Sequence, residues 1–227
     1  MKRNFLILNF LIFLAVLVGD VFYINSSDLW IKAITSAGFV LLGLINLIYA
    51  LINKSNEKQF SIIMFVGLIL GMLGDIFLNI EFITGAIFFA IGHIIYFIAY
   101  CYLEKFNYID ILAGLAIFIP SMLFISFAPI FDFGGSVMKI LCVIYALFIS
   151  CMVGKSIANL IRERNLLNIL LVAGSILFFF SDLMLLLYVF ANLSSLANAL
   201  CLITYYPAQC LLAFSLMWAI SKGKNKQ

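Results

Sequence analysis

The sequence is poor in charge. Only 10% of its 227 residues are Asp, Glu, Lys or Arg, against roughly 25% in soluble domains. It has one histidine, His93, which excludes a multi-histidine zinc centre and with it the zinc-dependent membrane hydrolases. Its five cysteines, Cys101, Cys142, Cys151, Cys201 and Cys210, all fall in apolar runs and form no C-x-x-C pair. They read as small buried hydrophobes, and no metal is expected. No P-loop, G-x-S-x-G or H-E-x-x-H occurs, so nucleotide chemistry and serine-hydrolase chemistry have no visible support. No polar stretch is long enough to fold separately, so residues 1–227 are expected to form one domain. The net charge of +3 is small and sits in short loops. It gives no reason to invoke nucleic acid.

What the chain has is apolar surface. Hydrophobic residues make up 66% and the mean hydropathy is +1.23, which identifies an all-α integral membrane protein. A span needs about 20 apolar residues. Eight stretches qualify: 4–24, 30–52, 60–79, 82–103, 108–131, 136–160, 166–191 and 196–220. Their length and continuous hydropathy exclude a β-barrel, whose strands alternate. The opening Lys2–Arg3 and the long run behind it read as a retained first helix rather than a signal peptide. Lys2, Arg3, Lys54, Lys58, Lys105, Arg162, Arg164, Lys222, Lys224 and Lys226 all fall on one side of these spans. The opposite loops, near 25–29, 80–81, 132–135 and 192–195, contain no Lys or Arg. Both termini are therefore expected in the cytoplasm.

Against this background two acids stand out. Asp75 lies in the third span and Asp182 in the seventh. A carboxylate at membrane depth costs about 2.5–3.5 kcal/mol on insertion scales, so it is a functional hypothesis by default. Counted from the cytoplasmic side, Asp75 lies about 22 Å and Asp182 about 24 Å along their helices. The two share a depth in the outer half. They are 107 residues apart, as are Lys32 and Lys139, and Gly67 and Gly174. That echo suggests two parallel four-helix repeats, 1–107 and 108–227, with a site where they meet.

Other polar residues gather near this depth. Gly67 and Gly71 lead up to Asp75 as a small-xxx-small pair that admits a neighbouring helix. Asn79 follows one turn after Asp75. His93 and Tyr96 share a face of the fourth span, and Tyr205 and Gln209 share one in the eighth, with Pro207 between them as a potential kink. Lys32 and Lys139 begin the second and sixth spans, where each can reach lipid headgroups or bind a phosphate. The acids, His93 and the Tyr205–Gln209 pair each admit two readings, interhelical hydrogen bonding or work on a substrate. Two carboxyls sharing one apolar site do not ionise together easily. One can stay protonated as an acid while the other serves as a base toward water, the arrangement that cleaves acetal-like or enol-ether C–O bonds.

The motifs GMLGDIFL, GAIFFAIGHIIYFIAY, SILFFFSDLMLL and TYYPAQCLLAFSL together resemble the Gly-Asp, His-x-x-Tyr, Ser-Asp and Tyr-Tyr-x-x-Gln signatures of the YhhN family of membrane proteins. The family's Lys-Pro pair at the start of the second span is Lys32–Ala33 here, so only the lysine carries over. The resemblance implies an eight-helix membrane protein with lysoplasmalogenase activity, known for animal members. Such an enzyme hydrolyses the vinyl ether of a lysoplasmalogen to a fatty aldehyde and a glycerophospho-ethanolamine or -choline, without a cofactor. By that carry-over Asp75 and Asp182 are the acid–base pair, and Lys32 faces the phosphate. Asn79, one turn after Asp75, is counted with the substrate-binding residues, and His93, Tyr96, Tyr205 and Gln209 orient the headgroup and carboxyls. The expected partners are a lysophospholipid substrate and the membrane lipids. The competing class is a small proton-coupled transporter or lipid translocator whose aspartates carry protons.

Overall fold

A computed structural model describes residues 2–53, 55, 57–191, 193 and 195–219. Among these residues the chain is all-helical, with eight helices long and apolar enough to cross a membrane. They are α1 (Lys2–Ser26), α2 (Leu29–Ile52), α3 (Lys58–Leu78), α4 (Phe82–Leu103), α5 (Tyr108–Phe127), α6 (Ser136–Arg162), α7 (Leu166–Phe190) and α8 (Ser195–Trp218). Lys54, Lys222, Lys224, Lys226 and the side chain of Lys2, part of the charge asymmetry, lie outside the described residues. So do position 220 of the eighth span and positions 192 and 194 of the last outer loop.

The fifth helix stops four residues before the sequence suggests. Pro129 has no N–H and forces the residue before it out of the helical region. Ala128 is accordingly extended (φ −69°, ψ 126°) and caps α5. Elsewhere the helix ends are chemically marked. Asp28 caps α2 by accepting from Trp30 N, Glu81 caps α4 through Ile83 N and Thr84 N, and Asn165 caps α7 through Asn168 N. Each supplies an acceptor to orphan N–H groups of a first turn. The Thr84 and Ile83 hydrogen bonds hold the exposed Glu81 carboxyl below its ordinary range.

Neighbouring helices pair as hairpins, most tightly α3 with α4, α5 with α6 and α7 with α8. α8 is the central element: it packs on α1, α2, α3 and α7, and Tyr206, Ala208, Leu212, Ala213 and Leu216 are fully buried. It passes through Pro207 without interruption. The hydrophobic core draws on every helix except α5, which touches it only through Ile117. α5 instead lies against α6, where the backbones of Gly114 and Gly154 approach so closely that a Cβ on Gly154 would meet Gly114 N at 2.4 Å. Its start is tied down by ionic contacts. Lys155, wholly buried, donates to Asp110 Oδ2 (3.1 Å) and to the Glu104 carbonyl (2.7 Å), and Arg162 pairs with Asp110 Oδ1.

The glycines before Asp75 admit α4 at Gly67, where a Cβ on Gly92 would lie 3.9 Å from the Gly67 carbonyl oxygen, and make room for side chains. A Cβ at Gly67 would lie 2.4 Å from the Tyr96 ring, one at Gly71 2.4 Å from Gln209 Nε2, and one at Gly74 2.9 Å from the Phe89 ring. The cysteines divide. Cys201 and Cys210 are buried as the sequence suggests, whereas Cys101, Cys142 and Cys151 are only half-buried, and all five are free. In a bilayer an apolar position can face lipid as readily as core, so hydropathy alone does not separate the two.

Candidate functional site

Asp75, on the last turn of α3, is 2% exposed and meets donors at both oxygens. Lys32 Nζ on α2 lies 2.9 Å from Oδ1. Ser36 Oγ, one turn further along α2, donates to Oδ2 at 2.5 Å, and the Tyr206 hydroxyl on α8 donates to the same oxygen at 2.8 Å. A buried charge is tolerated only with such pairing and hydrogen bonding. Lys32 Nζ also donates to Asn79 Oδ1 (3.3 Å), which caps α3, and lies 5.0 Å from the centre of the Tyr23 ring. A third acid, Asp20 on α1, is buried within electrostatic reach of Asp75 and Lys32, and its Oδ1 has no hydrogen-bond partner among the described residues.

Asp182 on α7 is held differently. Its Oδ2 accepts from the Tyr145 hydroxyl on α6 at 2.7 Å and lies 3.2 Å from His93 Nε2 on α4. Nε2 is also 2.9 Å from the Tyr145 oxygen, while His93 Nδ1 is buried with no partner among the described residues. Of the two neutral tautomers the one with its proton on Nε2 fits, because that N–H meets acceptors and one on Nδ1 would not. Among the described residues all the hydrogen bonds to Asp182 fall on Oδ2, and the side chain keeps 11% exposure. Its other oxygen takes no partner among them.

Asp75 thus takes a hydroxyl from α2 and a phenol from α8, and Asp182 takes a phenol from α6 and an imidazole from α4. Lys139 donates to the Ser126 carbonyl at 2.5 Å, bracing the end of α5.

Two chambers meet here. A polar one of about 160 Å³ is lined by Lys32, Asp75, Asn79, Tyr23, Asn198 and Asp182 among others. An apolar one of about 680 Å³ lies between α4, α5, α6 and α7. Leu78, Phe82, Phe89, Leu185 and Asp182 border both. Asp182 is the one acid at that junction, whereas Asp75 lines the polar chamber alone.

Of the residues singled out from the sequence, Lys32, Asp75, Asn79, Asp182 and Tyr205 line the polar chamber. His93 stands behind Asp182. Tyr96 and Gln209 are not brought to either chamber. The Tyr96 hydroxyl donates to Gln209 Oε1 (2.9 Å), Gln209 Nε2 donates to the Tyr205 hydroxyl (3.4 Å), and Tyr205 donates to the Gly71 carbonyl (3.0 Å). All are buried, and this chain locks α4 and α8 onto α3. Ser36, Tyr206, Tyr145, Asn198, Tyr23 and Asp20 were not anticipated. Ser36 follows Lys32 at i+4, a spacing that puts both on one helix face. Tyr145, in an apolar run, carries no such mark.

Among the described residues no three His, Cys, Asp or Glu side chains are grouped to hold a metal ion. A model of the YhhN family matches residues 33–216. The matched stretch contains both aspartates, His93 and Tyr145, and begins one residue after Lys32. No curated protein and no solved structure gives a significant match.

Proposed function

The chain belongs to the YhhN family of membrane proteins, and on that premise we propose that it is an intramembrane lysoplasmalogenase-type hydrolase. Its substrate is a vinyl-ether lysophospholipid of the surrounding bilayer, and its work is shared by Asp182 and Asp75. The observation that carries this reading is the place of Asp182, at the border of a polar and an apolar chamber with one oxygen uncommitted. A lysoplasmalogen has its cleavable bond at just such a border, between headgroup and chain.

The chemistry divides between the acids by position. The carbon to be protonated is the second of the alkenyl chain, on the apolar side. Asp182 reaches that side, so it delivers the proton from its free oxygen while Oδ2 accepts from Tyr145 and His93. The pair of electrons in the C=C bond takes the proton, leaving an oxocarbenium centre at the carbon bonded to oxygen. Asp75 lines only the polar side and takes a proton from the attacking water. Hemiacetal collapse then returns one proton to Asp182 from the new hydroxyl and passes one from Asp75 to the glycerol oxygen. Aldehyde and alcohol leave with both acids restored. Acid–base catalysis of this kind is worth about 10²–10⁴-fold.

Lys32 and Asn79 supply donors to the headgroup side, with Lys32 bound to Asp75 as well as available to a phosphate. The protein sits in the cell membrane with both termini in the cytoplasm. Arg3 and Lys58 open odd-numbered helices, and Lys105, Arg162 and Arg164 stand where even-numbered ones close, which supports that orientation.

The test is aldehyde release by purified protein from a lysoplasmenylethanolamine, with chelator present. Release from the vinyl ether and not from the matching ester lysolipid supports the proposal. No release, together with proton-coupled lipid or solute uptake in proteoliposomes, would replace it with the transporter reading.

A further inference from the structure

The apolar chamber has a shape that the chemistry above does not require. It is about 680 Å³, within the range of about 300–1,000 Å³ usual for ligand pockets. It exists because α5 leans on α6 and not on α4. The close Gly114–Gly154 contact and the Lys155–Asp110–Arg162 cluster fix α5 at its opening half. Its second half, from Ala116 to Ile125, stands across an open groove from Phe82–Ile94 of α4.

The rim and walls of this groove are apolar. Ile83, Ile87 and Ile91 form an i, i+4, i+8 stripe along α4 and are 41%, 53% and 42% exposed, so the groove opens sideways toward lipid. Small residues, Ala86, Ala90, Ala116 and Ala146, keep it wide. Its polar points are the Asp182 carboxyl, the Tyr145 hydroxyl and Ser121, whose hydroxyl is already given to the Ile117 carbonyl. From Phe82 at the outer end to Ile94 at the floor is about 18 Å along the helix.

We propose that this groove between α4 and α5 is the binding site for one unbranched hydrocarbon chain of a single-chain lipid, admitted sideways from the bilayer, and that Ile94 marks its floor. The proposal rests on the hydrolase reading for the identity of that lipid. The occupant follows from the junction at Asp182. An apolar groove that shares Asp182 and four other lining residues with a polar chamber fits a molecule with one tail and one head. The polar chamber, about 160 Å³, has no room for a second tail. Asp182 lies 3.2 Å from His93, the neighbour of Ile94, so the reacting end of the chain sits toward the floor and the remainder lies along the groove.

The experiment uses the full chain in phospholipid vesicles with a non-cleavable hexadecyl ether lysophosphoethanolamine bearing a diazirine at its tail end. After illumination, cross-links are expected on peptides carrying the groove residues Ile83–Ile94, Ala116–Ile125 and Met138–Ile149. Ala90→Trp should cut that labelling by about tenfold and raise KM for long-chain substrate more than for an octenyl one. Ile94→Ala, which adds room, should shift the preferred chain upward and serves if Ala90→Trp does not fold. Labelling spread equally over the lipid-facing sides of α1 and α2 would overturn the proposal. So would unchanged labelling in Ala90→Trp, or equal labelling by a two-chain phospholipid probe. Chamber labelling without aldehyde release would sink the hydrolase and leave the chain site standing. Aldehyde release with labels elsewhere would do the reverse.

Discussion

Lys32 Nζ lies 2.9 Å from Asp75 Oδ1, and neither side chain is more than 5% exposed. Removing one member of a buried pair strands the other, at about 3–5 kcal/mol. Lys32→Met should therefore lower thermal stability in detergent by an amount in that range. The double variant Lys32→Met/Asp75→Asn removes both charges and should regain most of the loss. Aldehyde release should stay absent in the double variant, which separates the stability role of the pair from its chemical one.

His93 and Tyr145 act through Asp182. His93→Leu and Tyr145→Phe each remove a hydrogen-bonding partner of Oδ2 and leave the carboxyl in place. Both should reduce kcat by less than the about 10²–10⁴-fold of losing the acid itself, with KM little changed. Activity should fall in both without a matching loss of unfolding temperature. A purely structural role would lower stability and activity together.

Gly67 tests the packing around the site. Gly67→Ala would place its methyl 2.4 Å from Tyr96 Cε1, and that ring is fully buried. Overpacking of this kind costs about 1–3 kcal/mol. The same variant disturbs the Tyr96–Gln209–Tyr205 chain, so thermal unfolding and kcat should fall together.

The cluster at the start of α5 should affect stability alone. Asp110 receives Lys155 at one oxygen and Arg162 at the other. Asp110→Asn leaves the buried Lys155 ammonium without its counter-charge and should lower stability by about 3–5 kcal/mol. The folded fraction should release aldehyde at the wild-type kcat, since this cluster lies at the opposite helix ends from Asp75.

The spans were legible because lipid demands continuous apolar helices. Proline chemistry, rather than hydropathy, ended α5. Asp75 and Asp182 were legible as acids where acids are costly, and their spacing along the chain hinted at a common depth. Their partners were harder to read. Tyr206, beside Tyr205 in the chain, turns to Asp75 while its neighbour turns to Gly71. Lys32 at a helix start looked like a headgroup anchor, and only the packing of α2 against α3 reveals its ion pair. The apolar groove left no trace at all, because residues lining it and residues facing lipid have the same composition.

The most direct measurement compares Asp75→Asn and Asp182→Asn in aldehyde release from a vinyl-ether lysolipid. Both variants keep side-chain shape and polarity, and binding of the non-cleavable ether lysolipid checks that each is folded. Both are predicted to lose at least about 100-fold in kcat while still binding the ether analogue. Wild-type kcat in either variant would show that the two carboxyls do not share the reaction.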